Sequence, residues 1–138
     1  MKVFFDSNIY IAEALLGRAA ERMIRATRRA RWRIFTSHYI VHEVSEVLTL
    51  VLRFSHRLAS LTSRRILRRA ALARIAKQAR VPRDPDDSPV LQAALGCGAD
   101  YLVTNDRHLL ELDPYKGLRI ISMSAYHQLL QGHGHLGK

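Results

Sequence analysis

Short apolar runs alternate with longer amphipathic segments along the chain, and this alternation predicts strands separated by helices. Four runs have the length of a buried strand: residues 2–5, 33–36, 101–104 and 119–122. Because predicted helices separate these runs, we expect one parallel sheet with helices on both faces, an α/β sandwich of three layers. Ligands of such sheets bind beyond the carboxyl ends of the strands.

Between the predicted strands, apolar residues at helical spacing and residues typical of helix ends predict the helices. The first helix is predicted over residues 9–16, capped by Ser7-Asn8 and ended by Gly17. Ser37 is the predicted N-cap of a long helix from residue 38 to about 54. The other helices are predicted over residues 19–31, about 61–80, 90–95, 106–110 and 123–130. Residues 81–89 are expected to form a turn-rich loop.

Size and composition limit the class of protein. The 138 residues, 48% of them hydrophobic, suffice for one domain with a real core. The longest apolar runs are too short to cross a bilayer, and the first residues do not form a signal peptide. Cys97 is the single cysteine, so no intrachain disulfide can form. We therefore expect a cytoplasmic protein without membrane contact.

The charge indicates a polyanionic partner. Lysine and arginine number 22 against 12 acidic residues, which gives a formal net charge of +10, and nearly all of the cations are arginine. Guanidinium groups bind phosphate in a bidentate manner, so this excess favours nucleic acid. The alternative is a coding bias that places arginine wherever a surface cation is tolerated.

One predicted helix carries a basic face. At about 100° per residue, four arginines occupy one arc and apolar residues the opposite arc. These arginines are Arg64, Arg65, Arg68 and Arg69. They form either an RNA-binding surface or the solvated face of an amphipathic helix. An acidic segment of a partner protein is a further candidate ligand.

Two aspartates follow predicted strands directly. Asp6 ends the sequence FFD, and Asp106 follows LVTN, so each lies at the sheet edge where ligands bind. Helix N-capping also favours aspartate at these positions. Two similar contexts, each with a neighbouring Ser or Thr and an Asn, favour a functional role.

An acidic loop follows the basic helix. Asp84, Asp86 and Asp87 lie within a stretch of four residues in an otherwise basic protein. Their carboxylates repel one another unless a cation compensates their charge. Asp87 or Ser88 is the expected cap of the helix that begins near Pro89. Helix capping accounts for only one of the three acids. A hard divalent cation, which binds several oxygen ligands, accounts better for the cluster.

Glu43 lies at the margin of an apolar helix face, where a carboxylate is costly without a partner. Glu46 is the nearby alternative. The sequence around Glu43 begins like the zinc-binding motif HExxH but has Glu46 in place of the second histidine, so that motif is excluded. His38 and His42 share a helix face, but no third metal ligand accompanies them.

The acids lie on separate segments, and they meet at the top of the predicted sheet only if the fold brings these segments together. Carboxylates around Mg²⁺ or Mn²⁺ can activate water and neutralise phosphate charge, which is what phosphodiester cleavage requires. The sequence therefore predicts a metal-dependent site made of Asp6, Glu43, Asp87 and Asp106.

With these segments in place, the sequence resembles the PIN-domain nucleases, which include the VapC-type toxins of toxin–antitoxin pairs. The resemblance is carried by MKVFFDSNIYI, SHYIVHEVSEVL, DPDDSPVLQAALGCGADYLVTNDRHLL and IISMSAYHQLL. It implies a PIN-like parallel sheet of four to five strands, a single nuclease domain over residues 1–131 and a flexible tail over 132–138. It further implies Mg²⁺- or Mn²⁺-dependent cleavage of RNA.

The family's acidic motifs fall on particular residues of this chain. The first acid matches Asp6, the second Glu43 and the fourth Asp106. In the third motif the resemblance assigns the catalytic role to Asp87, although many relatives have an aspartate at the position of Ser88. The supporting residues implied by the motifs are Ser7, Asn8, Asp84, Asp86, Thr104 and Asn105.

The resemblance leads to two functional hypotheses. The first is an endoribonuclease that forms the toxin half of a pair, with RNA as substrate and a small antitoxin protein as partner, and it allows for a homodimer. The second is a catalytically inactive PIN-type domain that binds RNA or serves as a scaffold. Retention of all four acids favours the first.

Overall fold

The computed structural model describes residues 1–73 and 88–133 of the chain. Within these ranges a five-stranded, entirely parallel sheet has the order β3-β2-β1-β4-β5. The strands are β1 (Lys2–Phe5), β2 (Arg33–Thr36), β3 (Ala71–Leu72), β4 (Tyr101–Val103) and β5 (Arg119–Ile121). The α/β class predicted from the alternating pattern is confirmed.

The helices of the described ranges connect and cover these strands. They are α1 (Ser7–Ala14), α2 (Arg18–Arg29), α3 (His38–Glu46), α4 (His56–Arg69), α5 (Pro89–Gly96), α6 (Arg107–Leu110) and α7 (Met123–Gly132). Helices α1, α2 and α7 pack side by side, and α3 packs against α1, α4 and α5. No helix in this part of the chain is long and apolar enough to cross a membrane.

The central strand shows that both faces of the sheet are covered. Val3, Phe4 and Phe5 are consecutive, so they point alternately to the two faces, and all three are fully buried. Phe4 pairs with Phe35 of β2 on one side and with Leu102 of β4 on the other. This apolar centre holds the carboxyl ends of β1 and β4 at a fixed spacing.

The order of the strands creates a crevice between β1 and β4. From β1 the chain proceeds through α1 and α2 to β2 on one side, whereas β4 lies on the other side and continues outward to β5. The connections therefore leave this point in opposite directions, which opens a crevice at the carboxyl ends of the two strands.

The start of α1 differs from the prediction in its capping residue. Asp6, not Ser7 or Asn8, is the N-cap, and Ser7 is the first helical residue. The helix ends at Ala14, earlier than predicted, and Gly17 is the N-cap of α2. The Gly17 amide donates to the Ala12 carbonyl oxygen over 2.9 Å. A Cβ at Gly17 would lie 2.5 Å from that oxygen, so this close approach requires glycine.

The predicted helix over residues 61–80 is wrong at both ends. Helix α4 begins earlier, at His56 with Ser55 as its N-cap, and it ends at Arg69. The next residues extend because Ala71 pairs with Phe35, and the Ala73 amide donates to the Thr36 carbonyl over 2.7 Å. Pairing with β2 outweighs the helical propensity of these alanines, and it adds a strand that the sequence pattern did not reveal.

The predicted helix over residues 38–54 changes its winding midway. Ser37 is the N-cap of α3, as predicted, with its hydroxyl accepting from the Ile40 amide over 3.2 Å. The α-helical part ends at Glu46, and Val47–Val51 continues as a π-helical turn. The last helix, α7, extends two residues beyond the predicted end at residue 130. Residues 134–138 of the predicted tail lie outside the described ranges.

Candidate active site

A cleft of about 590 Å³ opens at the carboxyl ends of β1 and β4. Its walls combine the residues that follow these strands with side chains of α3, α5 and α6. The lining residues that the sequence singled out are Asp6, Ser7, Asn8, Glu43, Asp106 and Ser88, which is also the N-cap of α5. The fold therefore brings the acids of three separate segments to one cleft.

Asp6 is held by hydrogen bonds to both carboxylate oxygens. Its Oδ1 accepts from the Ser7 amide over 2.7 Å, and its Oδ2 accepts from the Thr104 hydroxyl over 2.6 Å. The residue is only 5% exposed, and its own amide donates to the carbonyl of Val103 over 3.0 Å. The side chain therefore has a fixed orientation at the inner end of the cleft.

Thr104 links the ends of β1 and β4. Besides donating to Asp6, its hydroxyl oxygen accepts from the Asp106 amide over 3.0 Å, and the Asn8 amide group lies at 3.5 Å. Asn105 contributes from the next position, where its Oδ1 accepts from the Met123 amide over 3.3 Å and ties this loop to α7. Thr104 thus ties the segment after β4 to the end of β1, and Asn105 ties it to α7.

Asn8 has a buried oxygen without a hydrogen-bond partner in the described part of the chain. Its amide nitrogen lies 3.5 Å from the Thr104 hydroxyl oxygen, and the residue lines the cleft. A buried carbonyl oxygen without a partner is costly, and a water or a cation at the cleft would satisfy it.

Asp106 caps α6 and lines the cleft at once. Its Oδ1 accepts from the His108 amide over 2.9 Å, while the side chain remains exposed. Asp6 also caps a helix, so the capping alternative is correct for both aspartates. Capping engages one oxygen of Asp106, and no described residue donates to the other.

Glu43 and Glu46 are separated by the structure. Glu43 is half-buried and lines the cleft. Glu46 is 54% exposed and lies 3.5 Å from His42 Nε2 instead. Of the two candidates on α3, Glu43 is the residue at the site.

The acids of the cleft act on one another electrostatically. Burial raises the pKa of Asp6, and the nearby carboxylates of Glu43 and Asp106 raise it further. The hydrogen bonds from Thr104 and Ser7 lower it, but the net pKa lies above the usual value. A buried carboxylate facing two like charges is a site at which a bound cation would relieve repulsion.

The donor set fits a hard divalent cation in kind, because every candidate ligand is an oxygen. Among the described residues, however, no three His, Cys, Asp or Glu side chains lie close enough together to hold one metal ion. The third-motif candidates Asp84, Asp86 and Asp87 lie outside the described residues. The described acids therefore provide part of a site.

The arginine face predicted to bind RNA divides into two pairs. Arg69 forms two hydrogen bonds of 2.8 Å with Glu13, and both side chains are nearly buried. Arg65 reaches the same carboxylate at 3.3 Å. Arg64 and Arg68 are exposed. Two of the four arginines thus join α4 to α1, and the other two are available to a polyanion.

Sequence reasoning missed the aromatic and apolar residues of the cleft. Tyr39 lines it one helical turn before Glu43, and the spacing i, i+4 was the available signal. Pro89 and Val90 of α5 and Leu109 of α6 also line it. Their contribution depends on the packing of α5 and α6, which no local pattern indicates.

Comparison with known proteins agrees with this geometry. Residues 2–108 match the family model described as "PIN domain". Comparisons with curated proteins and with solved structures give no significant match. PIN domains are generally nucleases, and the matched range contains Asp6, Glu43 and Asp106 of the cleft. The chain belongs to the PIN-domain family.

Proposed function

We propose that the protein is a metal-dependent endoribonuclease in which Asp6, Glu43 and Asp106 act together with Asp87. Membership of the PIN-domain family supports a nuclease. The observation that carries the proposal is the buried carboxylate of Asp6, which is fixed by Thr104 and faces two further acids. Burial and the neighbouring acids disfavour the ionised state of Asp6. A cation bound to this carboxylate would offset that cost, and cation binding therefore explains why the acids are grouped in a nuclease fold.

Mg²⁺ or Mn²⁺ would supply an activated water and neutralise charge on the phosphate. Of the described residues, Asp6, Glu43 and Asp106 line the cleft that would hold it, and they would provide part of its ligand set. From the third motif we assign the main ligand to Asp87, with Asp84 or Asp86 in support.

The residues around the acids prepare them for this role. The Ser7 amide and the Thr104 hydroxyl fix both oxygens of Asp6 before any ligand arrives, so no reorganisation is needed. Because the pKa of Asp6 is raised, the fraction of molecules with a protonated Asp6 grows as the pH falls. A cation that binds this carboxylate must displace the proton from that fraction.

RNA as the substrate is supported by charge and by resemblance. The net charge of +10 favours a polyanion, and Arg64 and Arg68 present guanidinium groups to solvent. The resemblance to VapC-type toxins favours RNA over DNA, a cytoplasmic location, a small antitoxin partner and a homodimer. The intact acids of the cleft argue against the alternative, an inactive RNA-binding or scaffold domain.

An assay of the purified protein tests the activity. Single-stranded RNA, structured RNA and single-stranded DNA of one sequence are incubated with Mg²⁺ or Mn²⁺, and parallel samples contain EDTA. We expect cleavage of RNA that requires the metal. RNA binding without cleavage in either metal would support the inactive alternative, and cleavage that persists in EDTA would contradict metal dependence.

The toxin role has a separate test. Induced expression is expected to arrest growth, and co-expression of a small open reading frame adjacent to the gene is expected to relieve the arrest. An active enzyme whose expression leaves growth unchanged would be a solitary nuclease instead.

A further inference from the structure

Another cavity, of about 510 Å³, is lined by residues of α1, α2 and α4. None of the described residues that line it also lines the carboxylate cleft. Its lining includes five arginines, which are Arg25, Arg28, Arg65, Arg68 and Arg69. Helical spacing groups them, because positions three or four apart share one face of a helix. Basic faces of α2 and α4 therefore meet at one arginine pocket.

Two glutamates offset part of the charge of this arginine pocket. Glu13 accepts two hydrogen bonds of 2.8 Å from Arg69, and Arg65 lies 3.3 Å from the same carboxylate. Glu21 pairs with Arg25 at 3.3 Å. Five guanidinium groups thus face two carboxylates, which leaves the described lining with a net charge of +3.

Arg28 and Arg68 have no carboxylate partner in the described part of the chain. Both side chains are exposed, and they line the arginine pocket from α2 and from α4 respectively. Guanidinium groups that line one cavity repel one another, and an anion bound between them would relieve this repulsion. Such an anion would engage these two side chains first, because the other three arginines already contact glutamates.

The remaining lining of the arginine pocket favours a compact anion. Among the described residues that line it, Ile24 alone is apolar, and it is only 1% exposed. A protein segment binds through apolar anchors as well as through charge, and single-stranded RNA stacks its bases on aromatic rings. The described lining provides neither. A group with several charges on adjacent phosphates needs only guanidinium forks, which bind phosphate oxygens in pairs.

We propose that the arginine pocket binds a polyphosphate group, with Arg28 and Arg68 as its main ligands. The group belongs either to a free nucleoside triphosphate or to the 5′-triphosphate end of an RNA, which share this chemistry. The volume of about 510 Å³ lies in the range of pockets that hold small ligands. The site goes beyond the proposed nuclease activity and does not depend on it, so binding can be measured whether or not the protein cleaves RNA.

Calorimetric titration with inorganic triphosphate tests the site at about 0.15 M salt, where distant charges are screened. The buffer is freed of divalent metals by a chelating resin, because a soluble chelator is itself a competing anion. We expect saturable binding, with the dissociation constant raised about 10-fold in Arg28→Gln and in Arg68→Gln. Arg29→Gln is the matched control and should bind like the wild type. Arg29 is an exposed neighbour on α2 that does not line the pocket, and its substitution removes the same charge.

Two RNAs of one sequence, with a 5′-triphosphate or a 5′-hydroxyl end, distinguish the two sources in the same buffer. A preference for the triphosphate end that Arg28→Gln abolishes would assign the pocket to RNA ends. Equal affinity for the two RNAs, together with binding of a nucleoside triphosphate that Arg28→Gln weakens, would assign it to a free nucleotide.

Three results would overturn the inference. They are the absence of saturable triphosphate binding by the wild type, an equal loss of affinity in Arg29→Gln, and an unchanged affinity in both Arg28→Gln and Arg68→Gln. An acidic peptide or a 5′-hydroxyl RNA that binds through Arg28 where triphosphate does not bind would assign the pocket to that partner instead. Because the substituted side chains are exposed, the variants should unfold at the temperature of the wild type, which thermal unfolding checks.

Discussion

The hydroxyl of Thr104 donates to Oδ2 of Asp6 over 2.6 Å and joins residues 98 positions apart in the sequence. The same hydroxyl oxygen accepts from the amide of Asp106. The two aspartates that follow β1 and β4 are therefore parts of one hydrogen-bonded unit centred on a neutral side chain.

Replacing Thr104 by valine keeps the shape of the side chain and removes the hydrogen bond. Because this bond lowers the pKa of Asp6, its loss should raise that pKa further above the usual value. We expect a loss of activity of about 10- to 100-fold, larger at pH 6 than at pH 8, with the acid limb of the pH–rate profile moved to higher pH. Thr104→Ser retains the hydroxyl and should behave like the wild type. A Thr104→Val profile that coincides with that of the wild type would refute the positioning role.

Breaking the pair of Arg69 and Glu13 by removing one partner should destabilise the protein strongly. Their side chains are 9% and 6% exposed and share two hydrogen bonds of 2.8 Å. Arg69→Met leaves a buried carboxylate without its main partner, so we expect the free energy of unfolding to fall by about 3–5 kcal/mol. Urea denaturation measures this change, and Arg64→Met, at an exposed position of the same helix, is the control.

A double substitution distinguishes the effect of an unpaired buried charge from the effect of lost packing. Glu13→Leu/Arg69→Met removes both charges, and it should be less destabilising than Arg69→Met alone. A double variant that is less stable than Arg69→Met would indicate that packing, not the unpaired charge, causes the loss.

The exposed arginines of α4 are predicted to bind RNA phosphates. Arg64→Gln/Arg68→Gln should weaken RNA binding at low salt and reduce the slope of log affinity against log salt by about 1 for each phosphate that is no longer neutralised. Binding to a fluorescent strand at several salt concentrations measures the slope. An unchanged slope would assign these residues to the solvated face of the helix.

Asp113, which lies outside the cleft, should make the free energy of unfolding depend on pH. Burial raises its pKa, but the hydrogen bonds from Arg119 and from the Ile120 amide outweigh burial and hold the pKa below its usual 3.8. Since the folded pKa is lowered, the stabilisation is present above the unfolded value and is lost as the pH falls through the folded one. Asp113→Asn should therefore cost about 1 kcal/mol at pH 7.

This cost should disappear at low pH. Thermal unfolding of both proteins at pH 7 and at a series of pH values falling below 3.8 measures the difference. A cost that stays constant across this range would attribute the effect to geometry and not to the charge.

The parts of the fold that local patterns determine were predictable from the sequence. Strand β1 is a run of apolar residues, and Ser37 caps α3, because both depend on neighbouring residues alone. Strand β3 was missed because Ala71 and Leu72 extend only through pairing with β2. No turn residue marks this change, so a pattern of helical period continues across it.

The candidate site shows the same division. Asp6 and Asp106 could be recognised because strand ends mark the functional edge of a parallel sheet. Tyr39 and the free oxygen of Asn8 depend on how α3, α5 and the strand ends pack, which spacing alone does not encode. The split of the arginine face likewise depends on Glu13, which lies on another helix.

The most direct test compares metal-dependent RNA cleavage by the wild type and by variants in which single acids are substituted. Initial rates on single-stranded RNA are measured in Mn²⁺ for the wild type, Asp6→Asn, Glu43→Gln and the matched control Glu46→Gln, whose parent side chain pairs with His42 away from the cleft. We predict a loss of at least about 100-fold for Asp6→Asn and Glu43→Gln, with Glu46→Gln close to the wild type. Equal rates for Asp6→Asn and the wild type would contradict a catalytic site in this cleft.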